Sequence, residues 1–262
     1  HGWNFLGNTT KEKLEYERIF GNKSLTDEAT YNRAKKLVED KIAESSKAKA
    51  QLVQMTEALE KSDKLIAKEL KKSVYTAEEL DKITSTDKEI TAAKMVMKQM
   101  LSYEMPIADL KIEIAKELEG YNTYEKHLET DYRKVVGDNP NDINDKKYGN
   151  NNVIGPDKKE ALHGTHVAGI VAQVRGNNLG GDGVADAVTE ILTVRAVPDG
   201  DEYDKDIALG IRYAVDNGAK VINGSFGKAF SPQKQWVYDA IKYAESKDVL
   251  IVHAAGNDAK DI

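Results

Sequence analysis

Between Gly21 and Gly120 the chain runs for 98 residues without a glycine, the feature that most restricts what it can fold into. That stretch holds all five methionines and one proline, Pro106. An internal glycine costs a helix about 1 kcal/mol, so its exclusion over such a length is what long helices require. The balance reverses downstream, where 15 of the 19 glycines lie between Gly137 and Gly256. Packed α/β folds use glycine in this way, for tight turns and close backbone approaches. Two architectures therefore share 262 residues, a length that suits one large domain or two smaller ones.

In the glycine-free part, Tyr31, Ala34, Val38, Ile42, Ala48, Leu52, Met55, Leu59, Ile66 and Leu70 recur at mostly three- and four-residue steps from Thr26 onward. This is one apolar stripe on a long helix. Thr76 with Glu79, and Thr86 with Glu89, are capping-box signals for two further helices, the second carrying Met95, Val96, Met100 and Leu101. Pro106 should end that helix near Met105. A last stretch, Ile107 to Glu119, is predicted to stop at Gly120 as a left-handed C-cap. The whole reads as a helical hairpin or small bundle. Its apolar faces either pack only on one another or offer a protein contact, and charged runs such as Lys71-Lys72 read as a solvated face.

Composition excludes several classes. With 38 basic against 44 acidic residues, net −6, there is no electrostatic footprint for nucleic acid. The absence of cysteine removes disulfides, thiolate metal sites and thiol nucleophiles. No apolar run of about 18 residues exists to form a membrane-spanning segment. The first residue is His1 and no signal peptide is visible, so the chain reads as an internal piece of something longer.

The glycine-rich part alternates in period. A helical stretch from His163 to Val174 leads through the loop Gly176–Gly183 to a strand-like run, Glu190 to Val197. Helices follow at Asp204–Asn217 and about Pro232–Ser246, and β runs at Ala219–Asn223 and Val249–His253. Near-continuous apolar strands separated by amphipathic helices predict a parallel sheet covered by helices, with chemistry at the carboxyl ends of its strands. Ahead of it, Asp138, Asn139, Asn141, Asp142, Asn144, Asp145 and Asn150–Asn152 form an oxygen-rich cluster that suits either Asx turns or calcium, though not in EF-hand spacing.

Three segments could carry chemistry. His163-Gly-Thr-His166 opens a helix, where Gly164 leaves the first imidazole accessible as a general base; an N-terminal capping role is the plainer alternative. Ser225-Phe226-Gly227 leaves one strand. His253-Ala254-Ala255-Gly256-Asn257 leaves the next, placing an amide that could serve an oxyanion or a turn. A zinc site of His163, His166 and His253 is a weaker reading, lacking a His-Glu-x-x-His pattern.

Together these segments resemble the subtilisin-like serine proteases, the subtilases, over Leu162 to Asp258, and the run His163–Ile170 is the most specific part. The resemblance implies that His163 is the general base of a Ser-His-Asp triad and Asn257 the oxyanion-hole donor. It implies a polypeptide substrate held as an added strand along Ser225, Phe226 and Gly227, with Ala254, Ala255 and Gly256 as the opposite pocket wall. His166 would be a structural helix residue. The fold class that follows is α/β: a partial subtilisin-like parallel sheet flanked by helices, with a long α-helical insertion. Residues 1–20 would be a leading segment of the protease domain, 21–130 the insertion and 131–262 the central protease core.

The same resemblance marks what is missing. No Asp-(Ser/Thr)-Gly segment for the triad aspartate occurs ahead of Leu162, and the nucleophile segment would lie beyond Ile262. Ser225 matches the substrate strand and does not replace it. The isolated chain is therefore expected to be inactive and poorly soluble, the parent a serine endopeptidase; the alternative is a non-catalytic peptide- or protein-binding module on the same scaffold. Gly224 departs from the family, which usually has methionine or another apolar residue there. The loop Gly176–Gly183 resembles a calcium loop of some subtilases, with Asn177, Leu179 and Gly181 as ligands of a structural Ca²⁺; no cofactor is required otherwise. Bacterial subtilases imply an extracellular or cell-envelope location.

Overall fold

The computed structural model describes residues 2–103, 105–257 and 259, with the backbone alone at 122, 123 and 125. His1, Asp258 and Ile262 lie outside the described residues. Along the chain run β1 (Trp3–Asn4), α1 (Glu15–Gly21), α2 (Glu28–Leu70), α3 (Ala77–Asp81), α4 (Lys88–Leu101), α5 (Ile107–Glu129), α6 (Leu162–Ala172), β2 (Val194–Arg195), α7 (Asp204–Asp216), β3 (Val221–Gly224), α8 (Lys234–Ser246) and β4 (Leu250–His253). The chain divides into two compact units, Lys36–Glu129 and the remainder. Residues 21–35, read from the sequence as part of the insertion, count with the second of these. No described helix is long and apolar enough to cross a membrane.

The helical unit follows the glycine-free stretch. α2 spans 43 residues, about 65 Å at 1.5 Å per residue. Asp27 caps it, its carboxylate accepting the Thr30 N–H at 2.8 Å. Leu59 and Ile66 of the predicted stripe are fully buried, in one core with Tyr75, Leu80, Ala93, Met97, Met100 and Ile114. Thr76 and Glu79 form the predicted reciprocal cap of α3. At α4 the cap is Asp87 and not Thr86: its carboxylate accepts the N–H groups of Glu89 and Ile90. A larger correction concerns α5, which passes through Gly120 without a left-handed turn and ends nine residues later at Glu129. Glycine weakens a helix interior without ending it, and the turns on either side carry the helix through.

In the other unit β1 pairs in parallel with β2, and β3 with β4. Among the described residues these form two two-stranded parallel ribbons. The run Glu190–Val197 shortens to Val194–Arg195, because only those residues find a parallel partner in β1. Both ribbons rest on the same helices: Val194, Ala196, Ile222 and Ile251 join Ile207, Ala208 and Ile211 of α7 and Ala240 and Ala244 of α8 in one core. The crossovers β2–α7–β3 and β3–α8–β4 thus build the expected helix-covered parallel architecture. α7 ends as predicted, with Asn217 as its cap and Gly218 in the left-handed region.

Buried charges hold the segment that follows α5 against the start of α7. Arg133 makes paired hydrogen bonds to Asp206 at 2.5 and 2.8 Å and to Asp138 at 2.7 and 2.9 Å. Lys205, with no exposed surface, donates to Asp138 and to the Asn139 carbonyl at 2.7 Å, and Tyr148 donates to Asp206 at 2.6 Å. Burial raises the Asp138 carboxyl, but Arg133 and Lys205 outweigh it and hold it below the usual range. The oxygen-rich segment behind Asp138 closes on Asx turns, with Asn139, Asp142 and Asn150 each accepting the N–H two residues on.

Candidate active site

α6 presents His163 in its first turn and His166 in its second, both exposed. The helix follows a short turn, Lys158–Ala161, capped by Asp157 through the Lys159 N–H. At its other end the chain folds back along the helix: the N–H groups of Gly183, Val184 and Ala185 donate to the carbonyls of Gln173, Ile170 and Val171 at 2.8 to 2.9 Å. A Cβ at Gly183 would collide with the Gln173 backbone, so this close approach requires glycine. Leu162 and Ile170 remain 75% and 56% exposed.

The candidate calcium loop lies inside this fold-back. Asn177 Oδ1 accepts the Leu179 N–H at 2.9 Å, and the Leu179 carbonyl accepts from Gln173 Nε2 at 3.3 Å. Asp182 accepts the Gly176 N–H at 3.2 Å. A cation there would share oxygens already engaged, which a carbonyl or amide oxygen with two lone pairs permits. Among the described residues no group of three or more His, Cys, Asp or Glu is placed to hold a metal ion.

The pairing of β3 with β4 brings the two remaining segments side by side. Gly224 lies opposite His253, and the Ala254 N–H donates to the Gly224 carbonyl at 3.1 Å. Ser225–Gly227 and Ala254–Asn257 therefore leave the ribbon together, at its carboxyl end. Ser225 accepts from Asn223 Nδ2 at 2.9 Å and is exposed, as are Gly227, Ala254, Ala255, Gly256 and Asn257. Gly256, at φ +92°, turns the chain just before Asn257. No hydrogen bond or ring contact joins His163 to either segment among the described residues.

The departure at Gly224 has a local cause. Phe226 meets the His253 ring edge to face, with centroids 5.3 Å apart at 84°. A Cβ on Gly224 would stand 3.1 Å from His253 Cδ2 and 3.3 Å from Phe226 Cε1. Both rings occupy the space of the missing side chain, so glycine here and the aromatic pair are one adaptation.

The segment that follows Ser225–Gly227 joins a second buried charge cluster that residue patterns did not disclose. Lys228 reaches Glu15 at 2.5 Å, Asp204 at 3.0 Å and the Glu202 carbonyl at 2.7 Å. Arg18 makes paired hydrogen bonds to Glu15 and donates to the carbonyls of Asp201 and Glu202. Burial raises the Glu15 carboxyl, but Arg18 and Lys228 together outweigh it and hold it below the usual range. Burial pushes Glu12, Asp201 and Glu202 up, and their neighbours offset this only in part.

A family model described as the subtilase family matches residues 70–261. The chain is 44% identical over 97 residues to the thermophilic serine proteinase of Bacillus sp. (strain AK1), covering 37% of this chain and 23% of that protein. It is 42% identical over 96 residues to thermitase of Thermoactinomyces vulgaris, covering 36% and 33%. With the cell wall-associated protease of Bacillus subtilis (strain 168) the figures are 40% over 100 residues, 38% and 11%. The chain thus spans a third or less of the length of each of these relatives. No solved structure matches it. With the family model matching more than half of its length, the chain belongs to the subtilase family of serine peptidases.

Proposed function

We propose that the protein containing this chain is a subtilisin-like serine endopeptidase and that these residues supply its general base, oxyanion donor and substrate strand. The observation that carries the reading is the β3–β4 register, which sets Ser225–Gly227 beside Ala254–Asn257 at the carboxyl end of a parallel ribbon. A peptide laid along Ser225–Gly227 adds a strand, and its scissile carbonyl comes to the Asn257 amide. His163 takes the proton of a serine hydroxyl as its oxygen bonds to that carbonyl carbon, and Asn257 donates to the resulting oxyanion. His163 then returns the proton to the departing amine, and water repeats the sequence on the acyl-enzyme.

The serine and the orienting aspartate belong, in this reading, to segments outside these 262 residues. Support for an added aspartate-bearing strand comes from β2 and β3, which rest on the same helices without pairing with each other among the described residues. The isolated chain should accordingly be inactive. Ca²⁺ held by Asn177, Leu179 and Gly181 is proposed as a structural ion. A polypeptide substrate and a location in the cell envelope or outside the cell follow from the family and from relatives such as the cell wall-associated protease.

A fluorophosphonate probe should label the full-length gene product at serine and leave the 262-residue chain unlabelled. Asn257→Ala in the full-length protein should lower kcat by about 10² to 10³. A folded full-length protein that neither labels nor cleaves casein would overturn the endopeptidase reading in favour of a binding module.

A further inference from the structure

Lys228 is the first residue after Gly227, and its side chain is only 5% exposed. Its three ammonium protons are matched by three acceptors: Glu15 Oε2, Asp204 Oδ1 and the Glu202 carbonyl. Two residues further on, Phe230 is buried between α1 and the first turns of α2, in one cluster with Ile19 and Ala34 and flanked by Tyr16 and Tyr31. The Arg33 guanidinium lies 4.2 Å over its ring. Ser231 Oγ and the Gln233 N–H then donate to the two oxygens of Asp204 at 2.7 and 2.8 Å. The loop from the candidate substrate strand to α8 is thus fastened at successive residues to α1, α2 and the start of α7.

A buried ion pair adds little net stability over well-packed apolar side chains, because desolvation offsets attraction; what it can supply is a single geometry. Glu15 and Lys228 are 213 residues apart in sequence. Their pairing fixes where the Ser225–Gly227 strand ends relative to α1 and the base of α2. We propose that Lys228 and Phe230 are positioning residues for substrate binding, which tie the substrate strand to the root from which the helical insertion grows. This rests on the reading of Ser225–Gly227 as the strand that pairs with substrate.

Two measurements test it. In the full-length protein cleaving casein, Lys228→Met should raise KM roughly 10- to 100-fold, with the loss in kcat/KM carried by KM. Lys228→Arg should restore part of the loss, and Arg33→Ala, at an exposed site that leaves the ion cluster whole, should shift KM in the same direction by less. A folded Lys228→Met protein with wild-type KM, or a loss carried by kcat alone, overturns the proposal. The second measurement needs no turnover. The chain has four phenylalanines, so fluorophenylalanine gives a ¹⁹F spectrum in which Phe226→Leu identifies the Phe226 resonance. Arg33→Ala and Lys228→Met should shift or broaden that resonance in the full-length protein. An unchanged Phe226 signal in both variants overturns the clamp, whereas a changed signal in an inactive wild-type protein keeps the clamp and removes only the endopeptidase reading.

Discussion

Glu12 and Glu15 stand on one segment three residues apart, yet the fold shifts them in opposite directions. Glu15 ends up below the ordinary carboxylate range because Arg18 and Lys228 outweigh its burial. Its contribution to stability is present at neutral pH and is lost as pH falls through its lowered value. Glu12 is raised by burial, which the Lys13 N–H at 2.8 Å on one oxygen and the nearby Arg18 and Tyr203 side chains offset only in part. The folded chain therefore holds the Glu12 proton to higher pH than the unfolded chain, and stability falls as pH rises from the ordinary 4.5 through the raised value. Glu12→Gln keeps the acceptor for Lys13 and removes the charge. It should stabilise the α/β unit by about 1 kcal/mol at pH 8 and give no advantage at pH 4, as read by thermal unfolding. An equal gain at both pH values would contradict this account. None of this was legible in the sequence. The burial of Asp204, Lys205 and Asp206 depends on partners such as Asp138 and Lys228 that lie far away along the chain.

Helices α7 and α8 and strand β4 fall within two residues of their predicted limits, because a 3.6-residue apolar period and a short apolar run are local properties. Strand length was not legible in the same way. Residues 190–197 have the composition of a strand throughout, but pairing defines a strand, and β1 offers only Trp3 and Asn4. Gly120 misleads for a related reason, since a glycine near the end of an apolar pattern suits a C-cap or an interior position equally, and neighbouring turns decide. Gly120→Ala distinguishes the two. Within α5 it should stabilise the helical unit by about 1 kcal/mol in urea unfolding, whereas at a left-handed cap it would destabilise. The candidate site divides along the same line: its three segments were visible as motifs, while the mutual placement of two of them came from the β3–β4 register and that of Gly224 from two rings brought together across it.

At the scale of the whole chain, the glycine boundary seen in the sequence and the division into units nearly coincide, Gly21–Gly120 against Lys36–Glu129. Each unit has its own apolar core, and the two differ in where they keep their charges. In the helical unit several ion pairs are at the surface: Lys36–Asp40, Lys61–Glu89 and Lys116–Glu113 have side chains more than half exposed, while Lys111–Asp63 is partly buried. Such pairs contribute about 0 to 1 kcal/mol each. In the α/β unit Arg133–Asp206, Lys205–Asp138 and Lys228–Glu15 are almost wholly out of water. Raising NaCl from 0.1 to 1 M shortens the screening length from about 10 to 3 Å, which reaches the first set and leaves the second largely untouched. Calorimetry should therefore resolve two transitions, with the helical one lowered by a few degrees in 1 M NaCl and the other holding its temperature; one transition, or equal shifts, would refute this. The buried clusters should thus make the α/β unit indifferent to the ionic strength of its surroundings, so that a brine which loosens the helical unit leaves the anchorage of the Ser225–Gly227 segment firm.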